Sequence, residues 1–309
     1  MQQLREARWA FHSKAGGLAV DFLIGQCKID LARAFVEAGA PVTVRGTPWN
    51  TAPPVVRAAR CGDTGLIRLL ESKGALQRPR DAKAFLGASV ESGFPDAVKV
   101  ALRHYPHPNS RYEDGAPVLT SIAKSIGPDD DAPGAAAYDV ATVVRLLIAA
   151  GADPNARDKD GNTALHEATG ADVVRALIAG GADPNARNAD GETPLFEKFF
   201  PEPKAALLEM GADVGARDNK GRTALFYQHE AGIASDLIHA RADVNARDLA
   251  GDTPLETVLS EEVALSLLEA GATFPTEPAH LAAMRKNAEK NKWTKLLALI
   301  PEAAGTPAK

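Results

Sequence analysis

The chain has 309 residues, 45% of them hydrophobic and 24% charged, with a formal net charge of −5. That composition excludes a disordered chain and allows a large core or two domains, and the acidic balance excludes the broad basic surface that nucleic acid or anionic lipid needs. Two cysteines, Cys27 and Cys61, lie far apart with no CxxC or Cys/His spacing, so neither a disulfide framework nor a zinc site is expected, and reduced thiols in a cytosol are.

In chain order, MQQLREARWAFHSKAGGLAVDFLIGQCKID carries Arg5, Glu6, Arg8 and Lys14 ahead of a short apolar run that Asp21 interrupts, which makes a poor secretory signal. No stretch approaches the roughly eighteen uninterrupted apolar residues of a membrane span, so a cytoplasmic protein without a membrane partner is expected. The irregular half that follows alternates apolar segments with glycine-bearing breaks. GLAVDFLIGQCKIDLARAFVEAGAPV, PPVVRAARCGDTGLIRLLESKGA and AFLGASVESGFPDAVKVALRHY each read as two short helices, Leu66, Ile67, Leu69 and Leu70 marking the second helix of the middle one. A fourth unit begins at EDGAPVLTSIAKSI and finishes at VATVVRLLIAAGADPN. It is split near 126–138 by GPDDDAPGAAAYD, whose Pro, Gly and Asp content predicts an exposed loop.

From Tyr138 the chain becomes periodic. Gly151, Gly181, Gly211 and Gly271 stand at multiples of 30 residues, Arg241 filling the missing slot, and Gly161, Gly191, Gly221 and Gly251 keep the same step. Thr163, Thr193, Thr223 and Thr253 do likewise, as do Leu165, Leu195, Leu225 and Leu255. Within one period, Asp158 and Gly161 suit a type I turn. Thr163 caps a short helix containing Leu165 and Ala168, Val173, Val174, Leu177 and Ile178 mark a second helix with one buried face, and Gly181 ends it in the left-handed conformation that costs glycine nothing. Isolated helices this short are marginal in water, so neighbouring units must stack. Two apolar columns are expected to run between them, Leu147, Leu177, Leu207, Leu237 and Leu267, and Ile148, Ile178, Leu208, Ile238 and Leu268. The closing segment PAHLAAMRKNAEKNKWTKLLALIPE has helical spacing and the charge of a terminal cap.

The phrases DGNTALHEA, DGETPLF, KGRTALF and AGDTPLE in register, with GADPN or RADVN at the end of each unit, resemble the ankyrin repeat family. The resemblance implies an all-α ankyrin repeat solenoid of about eight helix-turn-helix repeats with short β-hairpin-like turns and capped ends. One solenoid would span 1–309, with irregular repeats over 1–137, regular ones over 138–275 and a capping repeat and tail over 276–309. The period of 30 is shorter than the family's 33 or so, which predicts a shortened first helix or inter-helix loop with the hairpin side intact. His166 matches the family's turn histidine, and Phe196, Phe226 and Glu256 replace it elsewhere.

No GxSxG elbow, P-loop, GxGxxG after a strand or HExxH occurs. Asp63-Thr64-Gly65 falls in an inter-helix loop, His104 and His107 lack a third ligand, and Asp129, Asp130 and Asp131 lack the spacing of a calcium loop. No catalytic residue, cofactor or metal is therefore expected. The recurring residue without a packing reason is Arg157, Arg187, Arg217 and Arg247, with Arg45, Arg80 and Arg111 near the equivalent place. The resemblance puts this position at the edge of the family's concave binding surface, where a row of guanidinium forks would suit an acidic partner. Pairing with Asp158, Asp218 or Asp248 is the alternative role. Partner contacts are also expected at the tips, Lys159, Asp190, Lys220 and Leu249, and on the inner helix, Glu167, Glu197, Tyr227 and Thr257, with Tyr227 the leading hot spot.

The function expected is a non-enzymatic protein-protein interaction module that binds a folded protein, such as a cytosolic enzyme or toxin with an acidic surface, and no nucleic acid. Two alternatives stand beside it. Ala, Arg, Gly and Pro richness fits a GC-rich bacterial source and an immunity protein that neutralises a cognate toxin, and the irregular 79–138 region has room for an enzyme site.

Overall fold

The computed structural model describes residues 14–43, 52–125, 138–196 and 201–301. Its contacts divide the chain into two compact units, residues 1–159 with 179–181, and residues 160–178 with 182–309. The insert near 126–138, the Asp129–Asp131 run, Arg45 and Glu197 lie outside the described residues, except that Tyr138 is seen.

The first unit is built from helix pairs: α1 (Lys14–Gly25) with α2 (Ile29–Glu37), α3 (Pro54–Cys61) with α4 (Thr64–Ser72), α5 (Pro79–Glu91) with α6 (Pro95–His104), and α7 (Val118–Ala123) with α8 (Val140–Ala149). Sequence chemistry places the boundaries. Proline opens α3, α5 and α6, where its missing N–H is no loss. Asp63 caps α4 by accepting the Leu66 amide at 2.6 Å, and Asp139 caps α8 by accepting that of Thr142 at 2.8 Å. The first helices, α1, α3, α5 and α7, pack side by side, the second helices, α2, α4, α6 and α8, form a parallel row, and Ile24, Val36, Val55, Leu66, Ile67, Leu70 and Phe85 are sealed between them.

The cysteines depart from expectation. Cys27 and Cys61 form a disulfide, with Cα atoms 5.7 Å apart. Cys27 follows α1 and Cys61 ends α3, two helices that lie against each other, so residues one repeat apart in sequence become lateral neighbours. Distance along the chain is no guide to distance in a stacked-repeat protein. Beside the bridge, the half-buried Arg57 reaches the buried Asp21 at 3.3 Å. Burial pushes the Asp21 carboxyl above its ordinary value, and the Arg57 charge opposes that rise.

In the second unit the second helices are full length: α9 (Ala171–Ala179), α10 (Pro201–Glu209), α11 (Ala231–His239) and α13 (Glu261–Glu269). Among the described residues each first helix spans only about one turn: residues 164–167, the 3₁₀ turns Pro194–Phe196 and Ala224–Tyr227, and α12 (Pro254–Thr257). The shortened period is thus absorbed by the first helix, and the hairpin side is intact. α14 (Pro278–Asn291) and α15 (Thr294–Leu299) follow as the terminal pair, α15 against α13. The described residues form no strand beyond one isolated bridge between Arg111 and Pro117. Leu165, Leu195, Leu225 and Leu255 are buried, as are Leu147, Leu177, Leu207, Leu237 and Leu267. The expected second column differs, because Ile148, Ile178, Leu208, Ile238 and Leu268 are only half-buried and sit at the rim.

Gly151, Gly181, Gly211 and Gly271 all have φ near +90°, and Arg241 in the same slot is forced to φ 68°. Nearby, Asn155 and Asn245 each clamp the carbonyl of the next such glycine, Gly181 at 3.0 Å and Gly271 at 3.1 Å, but the equivalent residue facing Arg241 is Gly215. The Arg241 junction therefore lacks both the relaxed turn and the asparagine clamp. Left-handed backbone costs a non-glycine residue roughly 1 to 2 kcal/mol, part of which the greater unfolded-state entropy of glycine cancels. Arg241→Gly should raise stability by about 1 kcal/mol, read as a higher denaturation midpoint at unchanged slope; a lowered midpoint would mean that the arginine contributes more than its strain.

Candidate functional site

The hairpin tips are made by short side chains that replace backbone partners. Asp218 accepts the amides of Lys220 (2.8 Å) and Arg222 (2.9 Å) on one carboxylate oxygen, while its carbonyl accepts Gly221 N–H at 3.0 Å. Asp248 does the same for Ala250, Asp252 and Gly251, and the Asn188 side chain for Asp190 and Glu192. Successive tips in the second unit are then joined through the backbone: Ala189 N–H to the Asp160 carbonyl (3.0 Å), Asn219 to Asp190 (2.9 Å) and Leu249 to Lys220 (2.9 Å). Their side chains project from a backbone held on both sides.

The recurring arginine has a definite role in this construction. Arg217 donates from Nη1 to the Gly221 carbonyl (2.5 Å) of its own turn and to the Arg247 carbonyl (2.6 Å) of the next repeat. Arg247 reaches Gly251 at 2.7 Å. In the first unit Arg111 bonds Gly115 (2.6 Å) and the Arg157 carbonyl (2.9 Å). Asp218 and Asp248 bind turn amides, with Tyr227 and Arg222, rather than these arginines. Arg157, Arg187, Arg217 and Arg247 are all exposed, and Arg217, like Arg111, staples two turns from the solvent side. Arg80 lies in the first turn of α5.

At the tips Lys159, Asp190 and Lys220 are exposed, and Leu249 is 81% exposed. The inner turn residues are less open. Glu167 is half-buried and accepts from Asn162 at 3.1 Å, and the Thr257 hydroxyl donates to the Pro254 carbonyl at 3.2 Å. Tyr227 is half-buried: its hydroxyl donates to Asp218 at 2.6 Å, its ring lies 5.9 Å from that of Phe196, and the Arg222 guanidinium stands 5.9 Å from the ring centre. Burial, reinforced by the Asp218 carboxylate, pushes the Tyr227 phenol up to about 12. Arg222 also donates to Asp248 at 2.8 Å. Burial raises the Asp248 carboxyl, but that bond and the Ala250 and Asp252 amides outweigh it and hold the group below its ordinary value. Sequence reasoning missed the Arg222–Asp248 pair, whose members sit on different repeats.

The turn threonines show what the family histidine does. The Thr163 amide and hydroxyl both lie on Nδ1 of His166, at 3.1 and 3.0 Å, which leaves Nε2–H to donate to the Glu192 carbonyl of the next repeat at 3.0 Å. Glu256 substitutes with a capping box, one oxygen accepting the amide and hydroxyl of Thr253. Where phenylalanine stands, the buried hydroxyls of Thr193 and Thr223 have no hydrogen-bond partner. Thr163→Val should therefore cost about 1 kcal/mol, and Thr223→Val should be neutral or stabilising; equal losses in thermal denaturation would sink this account.

The sequence candidates for chemistry do not converge. His104 bonds Glu71 at 2.7 Å, His107 packs on the Tyr105 ring at 4.6 Å, and Asp63 is a helix cap. No described helix is long and apolar enough to cross a membrane.

Residues 134–197 match the family model for ankyrin repeats, in three copies. These residues are therefore ankyrin repeats, the all-helical fold described above is consistent with a solenoid of them, and ankyrin repeats are generally protein-protein interaction modules. Among solved structures, the ankyrin repeat domain of Bcl-3, described as a unique member of the IkappaB protein family, is similar at 28% identity and a TM-score of 0.49, over 61% of this chain and 86% of that one. No curated protein matches the chain.

Proposed function

We propose that the chain is a non-enzymatic module that captures a folded protein on the hairpin tips of its second unit, with Asp190, Lys220 and Leu249 as contacts and Tyr227 behind them. The observation that carries this is Leu249: a large apolar side chain 81% exposed on a backbone tied to Lys220. An anchor held in place before binding loses little entropy on docking, and an apolar anchor ringed by charged neighbours has the composition of an interface centre. The arginines act one step back, by stapling the turns that present these side chains.

The test is a pull-down from the native cell followed by affinity measurement on the recovered partner. Leu249→Asp should weaken binding at least about tenfold without lowering the denaturation midpoint, whereas Arg217→Ala should lower the midpoint. Binding that ignores Leu249 but loses its salt dependence when Arg217 and Arg247 become alanine would transfer recognition to the arginines and an acidic partner. Growth rescue from a recovered toxin would make the module an immunity protein, and raised activity of a recovered enzyme would make it an adaptor.

A further inference from the structure

The last regular repeat and the terminal helix pair bring three ligand-bearing side chains to one point. Asp252 closes its hairpin, where its amide donates to the Asp248 carboxylate and its carbonyl accepts from the Asp248 amide, both at 3.0 Å. Glu256 stands on α12 and His280 in the first turn of α14. Nδ1 of His280 lies 2.7 Å from Oε1 of Glu256 and 3.7 Å from an Asp252 carboxylate oxygen, and one atom from each of the three residues falls within 4.8 Å of the others. Neither carboxylate is close in sequence to the histidine, so only the packing of α14 on the repeat creates the group.

Several features suit an ion. Oε2 of Glu256 is occupied by the Thr253 amide at 2.8 Å and hydroxyl at 2.9 Å, which fixes the carboxylate and leaves Oε1 aimed at the histidine. Outer bonds of this kind orient ligands in metal centres. Asp252 and His280 have side chains 31% and 43% exposed, leaving room for water on the open side. Around a tetrahedral ion with bonds of about 2.0–2.1 Å, neighbouring ligand atoms stand about 3.3 Å apart, between the two separations found here. Two carboxylates and a neutral imidazole would balance a divalent charge, and an imidazole nitrogen selects transition ions over magnesium or calcium.

We propose that Asp252, Glu256 and His280 form a binding site for a divalent first-row transition ion that fastens α14 to the last regular repeat. Protein stripped with chelator is titrated calorimetrically with ZnCl2 near neutral pH, with MgCl2 as the control. Zinc should bind saturably at one equivalent and raise the denaturation midpoint as its concentration rises, while magnesium does neither. Asp252→Asn and His280→Gln should each weaken zinc binding at least about tenfold, and both leave the Thr253–Glu256 capping bonds in place, so their zinc-free melts should stay near that of the parent. Absence of saturable binding would overturn the proposal, leaving an ion pair alone. Affinity unchanged in both variants would overturn it equally, placing the ion on other histidines.

Discussion

Opening the Cys27–Cys61 bridge should destabilise the first unit by about 3 to 4 kcal/mol, the loop-closure value for a sequence separation of 34 residues. The effect should be local. α1 and α2 form the outermost described pair of that unit, and α1 meets the rest mainly through α2 and α3. Once the bridge opens, that pair is held by apolar burial around Val20, Ile24 and Val36 and by the Asp21–Arg57 and Arg33–Asp63 ion pairs, the second of them partly exposed. Half-exposed ion pairs contribute little, so the loss falls on helix docking. Cys27 also has φ 49°, a left-handed conformation held in the bridged state. Hydrogen exchange in α1 and α2 should speed up in the Cys27→Ser, Cys61→Ser double variant and in parent protein under dithiothreitol, with α9 to α13 unchanged. Identical exchange with and without reductant would show that the two thiols stay apart in solution. Disulfides persist in oxidising compartments, so in a reducing one the first unit would work at the lower stability.

Leu237→Ala should cost about 3 to 4 kcal/mol, the middle of the range for emptying a fully buried leucine site. Leu237 is wholly buried on α11, a helix that packs against both α10 and α13, so the cavity opens in a layer shared by two inter-repeat interfaces. Stability in such a chain is a sum of weak units and nearest-neighbour terms. A loss in one layer is therefore expected to split the unfolding of the second unit into two steps, seen in urea as a second transition or a reduced apparent slope. Ile238→Ala, one residue on and half-buried, should cost only about 1 kcal/mol. Similar losses at the two sites would mean that Leu237 is not the inner column.

The candidate site was legible in part. The tip residues could be named because the turn glycines number every position around them, and Leu249 is the one large apolar side chain in a column that otherwise holds Lys159, Ala189 and Asn219. Tyr227 could be singled out as an aromatic on the inner turn, but not its bond to Asp218 or its packing on Phe196, which require two turns to be superposed. The arginine at each hairpin was visible as a recurrence; its hydrogen bonds to carbonyls were not, because backbone acceptors leave no mark in a sequence. The asparagine clamp shares that property, and its absence opposite Arg241 becomes meaningful only when Gly215 and Arg241 are seen to meet.

What the amino-acid sequence determined unaided is the frame: the step of 30 residues, the turn glycines, the threonine and leucine columns and the helix caps. All of these follow from rules that act within a few residues, namely the freedom of glycine at positive φ, capping by short polar side chains and the periodicity of a buried helix face. Tertiary structure alone decided which residues of different repeats touch. It joined Cys27 to Cys61, turned the arginines onto carbonyls, set Arg222 on Asp248 and brought His280 to Asp252 and Glu256. It also took the missing residues from the first helix, whose remaining turn still buries its leucine and threonine. Stacking brings together positions a whole repeat apart, and no local pattern encodes which side chains will then face each other.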